Sequence, residues 1–246
     1  SMLRVLAYRQ VSFSKFPHLF KSFVSLLSSL KQHYSFMLPG DPLPKKKALM
    51  LTFDHASVDF YTHVFPLLQN LQIPAVIGVA WRYVADLEGE DLPIDVARGI
   101  APSDFLAFQD EIFSYHQPFC SVRELCHMAA SPLVRFASSG FAIRNLKYAP
   151  PYLDTEILLS KILLENAIQS PVESFFFPLG KSDVVSQHFV QETYRYSFVL
   201  GNTASFSYPT QSLHGIPRID MPLDSQRVPS LYQLSYRHLK QFLVLR

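Results

Sequence analysis

Residues 48–79 constrain the fold of this chain more than any other segment. They run ALMLTFDHASVDFYTHVFPLLQNLQIPAVIGV, which is an apolar stretch, an amphipathic stretch and a second apolar stretch. This pattern is typical of a buried strand, a helix and a second buried strand in a parallel sheet. An Asp-His pair, Asp54-His55, falls where the first strand ends. Because ligands bind at the carboxyl ends of strands in parallel α/β folds, this pair is the first candidate for a functional site.

The same alternation continues along the whole chain. Short apolar runs predict strands, and the amphipathic stretches between them predict helices. The strands are predicted at 3–8, 48–53, 73–80, 133–138, 173–178, 196–200 and 216–221, and the helices at 16–30, 58–71, 121–130, 154–168, 183–194 and 229–245. About seven such units in 246 residues favour closure into a (β/α) barrel with mostly parallel strands over an open sheet.

Composition favours a single domain over residues 1–246, with an excursion at about 86–118 between two barrel units. Hydrophobic residues make up 48% of the chain and charged residues 17%, which supplies a sizeable core. The formal charge of +2 is close to neutral and predicts no nucleic-acid partner.

Neither a signal peptide nor a membrane span is visible in the sequence. The two cysteines, Cys120 and Cys126, lack the spacing of a metal site and are predicted to be buried free thiols. Together these features predict a cytoplasmic protein without an integral membrane segment.

Several motifs, taken in order, resemble those of the polysaccharide deacetylase family (NodB homology, carbohydrate esterase 4-like). The VLAYRQV of 5–11 corresponds to the opening strand of that family, and the LTFDHAS of 51–57 corresponds to its first motif. The SSGFAIRNL of 138–146 approaches the family's histidine motif, and FFFPLG at 175–180 and Pro-Arg at 217–218 follow in the expected order. The resemblance implies a NodB-type distorted (β/α)7 barrel.

The resemblance also implies a reaction, the removal of acetyl groups from N-acetylated sugars. In that family a divalent metal held by one Asp and two His activates water and polarises the amide carbonyl. Carried onto this chain, Asp54 stands at the general base, His55 at the metal-binding Asp, and Ser139 and Ile143 at the metal-binding His positions. Because Ile cannot ligate a metal and a Ser hydroxyl is a poor zinc ligand, the usual metal site is predicted to be lost.

Three hypotheses for function follow. In the first, the protein hydrolyses carbon-nitrogen bonds in N-acetylated sugars or a related amide, with metal-dependent activity impaired. Asp54 and His55 then activate water directly, and backbone amides near Gly140 or Gly180 stabilise the oxyanion. In the second, it is a catalytically inactive family member that binds glycans or proteins. In the third, Zn²⁺ or another divalent metal is bound by a rearranged site that includes His55.

Other residues complete the predicted site. Arg218 matches the family's Pro-Arg and is expected to pair with Asp54 and keep it ionised. His214 precedes Arg218 on the same predicted strand and is a further catalytic candidate. The residues predicted to contact substrate are Trp81, Tyr83, Phe177 and Gly180. The expected partner is an N-acetylated carbohydrate or a small amide.

Overall fold

The computed structural model of the chain is a closed parallel barrel. It describes residues 2–9, 11–45, 47–84, 119–201, 213–230 and 233–234. The strands are β1 Leu3–Tyr8, β2 Ser35–Phe36, β3 Ala48–Phe53, β4 Ala75–Val79, β5 Val134–Ser138, β6 Ser174–Phe176, β7 Tyr196–Leu200 and β8 Leu213–Asp220. All their pairings are parallel, and β1 pairs with both β3 and β8, so that seven strands close the barrel while β2 pairs with β3 alone. The predicted (β/α)7 barrel is confirmed.

Helices cover the outside of this barrel. They are α1 Pro17–His33, α2 Phe65–Leu71, α3 Val122–Ala129, α4 Ser160–Ile168 and α5 Val184–Thr193. A wider π-helical turn precedes α2 at Phe60–Val64 and α4 at Asp154–Leu159. The helix α3 begins with the capping box that Ser121 and Glu124 form.

The core has two layers because successive strand residues point to opposite faces of the sheet. On β1, Leu3 and Val5 belong to a cluster that fills the barrel interior together with Met50 and Phe198. The alternate residues of the strands, such as Leu6, pack outwards in a larger cluster that contains the buried faces of α1 and α2. Among the described residues, no helix is long and apolar enough to cross a bilayer.

Local features differ from the sequence predictions at a few places. The strand β6 ends at Phe176, before Pro178, which has no N–H to donate to the sheet. The helix predicted from 154 already includes Leu153, and Asp154 lies in its first turn without capping it. Cys120 is buried as expected, but Cys126 is exposed on α3, and the two do not form a disulfide bond. The predicted excursion at 86–118 lies outside the described residues, as does most of the predicted helix at 229–245.

Candidate functional site

An ion pair between Asp54 and Arg218 lies at the carboxyl end of the barrel. Asp54 directly follows β3, Arg218 lies on β8, and Arg218 Nη1 donates to Asp54 Oδ1. The Arg218 side chain is only 2% exposed, whereas that of Asp54 is 13% exposed. Nη1 also lies 3.4 Å from Thr52 Oγ1, and the guanidinium carbon lies 4.4 Å from the centre of the Phe176 ring. The ion pair predicted from the sequence is therefore formed, and the guanidinium of Arg218 is buried within the protein.

Gly78 on β4 allows the Asp54 segment to lie against the next strand. A Cβ atom at residue 78 would lie 2.3 Å from the Asp54 carbonyl oxygen and 2.9 Å from the Phe176 ring. The Ala56 N–H donates to the Gly78 carbonyl at 2.9 Å and fixes this approach. A side chain at residue 78 would thus displace the backbone that carries Asp54 and His55.

The three residues at the expected metal positions meet in one small cleft beside this ion pair. His55 is buried, with its ring edge-on to that of Phe119 at 5.8 Å. Ser139 follows β5 and is also buried, and no described residue hydrogen-bonds its hydroxyl. Ile143 lines the same cleft at 2% exposure.

This set of side chains does not fit a divalent metal. His55 alone of the three offers a good metal donor, and one imidazole cannot hold zinc tightly. The described part of the chain contains no group of three or more His, Cys, Asp or Glu side chains able to hold a metal ion. No step of a reaction at this cleft is therefore assigned to a metal.

Glu156 holds the loop that carries Ser139 and Ile143, a role that sequence analysis missed. Its carboxylate is fully buried and accepts hydrogen bonds from the backbone N–H groups of Phe141 at 2.9 Å and Ala142 at 2.8 Å. The Arg144 N–H adds a longer contact of 3.4 Å. Burial raises the pKa of Glu156, and these N–H groups oppose that rise. The helical stretch at 154–168 also contains Asp154, Lys161 and Glu165, so the sequence does not single out Glu156.

Two residues in left-handed backbone conformation line the cleft. Ile143 has φ 56° and Leu179 has φ 59°, a region that costs non-glycine residues free energy and that β-branched residues rarely adopt. Ile143 packs in a buried cluster with Tyr83 and Phe119, and Leu179 packs against that cluster. The space left in the cleft is about 10 Å³, which is room for about one water molecule. In this conformation the cleft is closed to a sugar.

The residues predicted to bind substrate are mostly core residues. Tyr83 is 2% exposed, stacks on Phe119 and donates its hydroxyl to the Ala142 carbonyl at 3.2 Å. Trp81 is partly buried against the outer core. Phe177 and Gly180 do line the cleft, although Phe177 is buried with its ring edge-on to Phe175 at 5.2 Å. Neither Trp81 nor Tyr83 lines the cleft.

His214 lies away from this cleft, although it shares β8 with Arg218. It is the second residue of the strand, so about 13 Å separates it from Arg218 at the usual rise per residue. Its Nδ1 lies 3.2 Å from Ser197 Oγ, and burial lowers its pKa. The structure does not bring His214 together with Asp54.

Comparison with known proteins supports the fold and finds sequence similarity over one stretch of the chain. No protein-family model matches the chain. The structure is similar to IcaB from Ammonifex degensii, with a TM-score of 0.68 and 19% identity over 92% of this chain and 94% of that chain. It is also similar to a de-N-acetylase from Aggregatibacter actinomycetemcomitans, with a TM-score of 0.65 and 16% identity over 98% of this chain and 100% of that chain.

One relative is matched at higher identity over a shorter stretch. The poly-β-1,6-N-acetyl-D-glucosamine N-deacetylase of Escherichia coli K12 is 36% identical over 99 residues, which are 40% of this chain and 12% of that protein. The match thus spans about an eighth of the relative's length. This chain therefore has the polysaccharide deacetylase fold and is related in sequence to one such deacetylase over two-fifths of its length.

Proposed function

We propose that this protein acts on N-acetylated carbohydrate as a deacetylase-like hydrolase of carbon-nitrogen bonds, with its metal-dependent activity impaired. The observation that carries the proposal is the Asp54 carboxylate, which lies at the carboxyl end of the barrel and is partly exposed while Arg218 holds it. The substrate class is that of the Escherichia coli relative.

The chemistry available to these residues is general-base catalysis. The reaction requires the cleft, which is closed to a sugar in this structure, to open and admit the substrate amide. Asp54 then takes a proton from a water molecule as the water oxygen bonds to the amide carbon. The carbon-nitrogen bond then breaks as the proton passes from Asp54 to the nitrogen. The acetic acid formed gives its proton to the amine, so that acetate and an ammonium group result. Arg218 donates from Nη1 to Asp54 Oδ1 and holds the carboxylate in place at the end of the barrel.

The loss of the metal explains why activity is expected to be low. Zinc lowers the pKa of bound water from 15.7 to about 7, which makes a strong nucleophile available at neutral pH. A single carboxylate offers no comparable activation. The backbone amides expected to stabilise the oxyanion are also engaged, because Gly140 N donates to Ser138 Oγ at 3.2 Å and Gly180 N to the Phe177 carbonyl at 2.9 Å.

A second candidate function is non-catalytic glycan binding. The observation that favours it is Ile143, which occupies a metal-histidine position and packs in the buried cluster that closes the cleft. In this case the barrel is retained as a scaffold, and Asp54 and Arg218 form a structural pair.

Acetate release from oligomers of N-acetylglucosamine distinguishes the two candidates. The assay compares the wild-type chain with Asp54→Asn, both in chelator, and uses Asp224→Asn on an exposed loop as the matched control. The hydrolase proposal expects slow release that Asp54→Asn abolishes and Asp224→Asn preserves. Absence of release from the wild type, or equal release from Asp54→Asn, contradicts it and leaves the binding function.

The cytoplasmic location stays a prediction. The absence of a disulfide bond between Cys120 and Cys126 is compatible with a reducing compartment. Fractionation of cells that express the natural protein tests it, and recovery outside the cytoplasm contradicts it.

A further inference from the structure

Positive charge is concentrated at the two ends of the sequence. Residues 1–53 hold eight of the 22 Lys and Arg residues but only one of the 20 acids, and residues 225–246 hold four Lys and Arg and no acid. The chain between them is acidic overall. The near-neutral net charge of +2 therefore conceals a strong segregation of charge.

The fold brings parts of these two basic segments together along α1. Two neighbouring cavities of about 680 and 410 Å³ share Leu26, Ser29 and Gln226 and form one groove between α1 and residues 226–228. Its Lys and Arg side chains are Lys21, Lys45, Lys47 and Arg227. From Lys21 to His33 the groove follows α1 for about 18 Å at the helical rise. We call it the α1 groove.

Among the residues that the structure describes, no carboxylate neutralises the cations of the α1 groove. No Asp or Glu lines either cavity, and none of the four side chains forms an ion pair in the described ranges. A fifth cation lies beneath them, because Arg4 Nη1 donates to the hydroxyl of Tyr34, which lines the groove. Unpaired cations around one concavity create a positive potential that attracts anions.

We propose that the α1 groove binds a linear anionic glycan, a sugar chain that carries carboxylate or phosphate groups. The four Lys and Arg side chains pair with its charges. The serines Ser22, Ser25 and Ser29 and the amide of Gln226 supply neutral hydrogen-bonding groups along the same path, which suit sugar hydroxyls. The sugar part of this ligand rests on the proposed function, whereas its charge rests on the groove alone.

The shape and lining of the groove favour a glycan over the other polyanions. A membrane surface is flat and would contact a convex basic face better than a concavity. Single-stranded nucleic acids bind through several stacking aromatic side chains, whereas the described part of this groove offers only the neighbouring rings of His33 and Tyr34.

Binding of oligogalacturonate, a carboxylated sugar chain, tests this proposal by calorimetry at low and moderate salt. The variant Lys45→Gln/Lys47→Gln/Arg227→Gln removes three groove cations. The matched control, Arg135→Gln/Lys147→Gln/Lys181→Gln, removes three exposed cations elsewhere. All six side chains are exposed, so both variants are expected to fold, and their thermal unfolding verifies this.

We expect the groove variant to bind at least about tenfold more weakly, the control to bind within about twofold of the wild type, and wild-type affinity to fall as salt rises. Equal binding by the wild type and the groove variant overturns the proposal. So does equal affinity for a neutral N-acetylglucosamine oligomer, or tighter binding of a single-stranded DNA of the same charge. Acetate release is measured separately, so failure here leaves the proposed function untouched.

Discussion

The cleft at the carboxyl end of the barrel and the α1 groove differ in whether their cations are paired with carboxylates. In the cleft, Arg218 is 2% exposed and its charge is matched by Asp54. In the groove, Lys45, Lys47 and Arg227 are exposed and have no carboxylate beside them in the described structure. A cation out of water needs a partner to offset its desolvation, whereas a solvated cation does not. The cation of the cleft is thus paired within a closed site, and the groove remains available to an external anion.

Removal of the buried cation is expected to lower stability more than any other change to the cleft or the groove. Arg218→Ala leaves Asp54 without its partner and is expected to lower the free energy of unfolding by about 3–5 kcal/mol. Urea denaturation measures it. Arg195→Ala is the control, since its pair with Glu173 is 65% and 45% exposed and is worth at most about 1 kcal/mol. Equal effects of the two variants would show that the cleft pair is no more important than a surface pair.

Ile143 tests whether the closure of the cleft carries backbone strain. Ile143→Ala removes the buried side chain and is expected to cost about 2–4 kcal/mol. Ile143→Gly loses the same contacts but relieves the φ of 56°, so it should be more stable than the Ala variant by about 1 kcal/mol. Thermal and urea unfolding of the Ala and Gly variants measure the difference in stability between them. An Ala variant as stable as the Gly variant argues against strain at this position.

Glu156→Gln tests how much the hydrogen bonds from the cleft loop to the Glu156 carboxylate stabilise the protein. Replacing a carboxylate that accepts backbone N–H bonds by a neutral amide is expected to cost about 2 kcal/mol near neutral pH. Because burial raises the pKa of Glu156, the native state binds its proton more tightly than the unfolded state does. The contribution of the Glu156 proton to the free energy of unfolding is therefore complete at pH values below the ordinary pKa of Glu. It decreases as the pH rises from that ordinary pKa to the raised pKa of the folded state.

The pH dependence of the difference between wild type and Glu156→Gln follows from that sign. The wild type should lose stability relative to the variant as pH rises from about 4 upward, since the variant has no such proton to release. Urea unfolding at several pH values measures the difference. A difference that grows with pH contradicts the raised pKa.

The smallest effect is expected in the α1 groove. Lys47→Gln removes an exposed cation, and the charged residues that line the described part of the groove beside it are cations as well. Its effect on the free energy of unfolding should stay within about 0.5 kcal/mol, in the stabilising direction, and should shrink in high salt. Clear destabilisation would reveal a partner for Lys47 and weaken the contrast with Arg218.

Much of the fold could be predicted because its signals are local. The strands 3–8, 48–53 and 196–200 were predicted at their observed bounds, since each is a short, mainly apolar run. The two-residue β2 is too short to leave a pattern. Cys126 was expected inside because cysteines are usually buried, but the face of α3 that it occupies is decided by packing.

The site could be predicted only in part. Asp54 and Arg218 are paired as predicted, because the motifs place both at the carboxyl end of one barrel, on strands β3 and β8 that flank β1. Glu156 was missed because its partners are backbone N–H groups of a loop more than ten residues earlier, which no spacing rule identifies. Tyr83 was assigned to substrate because it follows a strand, yet the loop around Ala142 covers it and accepts its hydroxyl hydrogen.

The central claim is that two metal ligands have been lost from this site, at Ser139 and Ile143. Zinc binding tests that claim most directly. Calorimetric titration compares the wild-type chain with Ser139→His/Ile143→His, which places two imidazoles beside His55 in the same cleft. The account predicts no stoichiometric binding by the wild type and one zinc per chain in the double variant, lost again on His55→Ala. One equivalent of zinc on the wild type, also lost on His55→Ala, would contradict it.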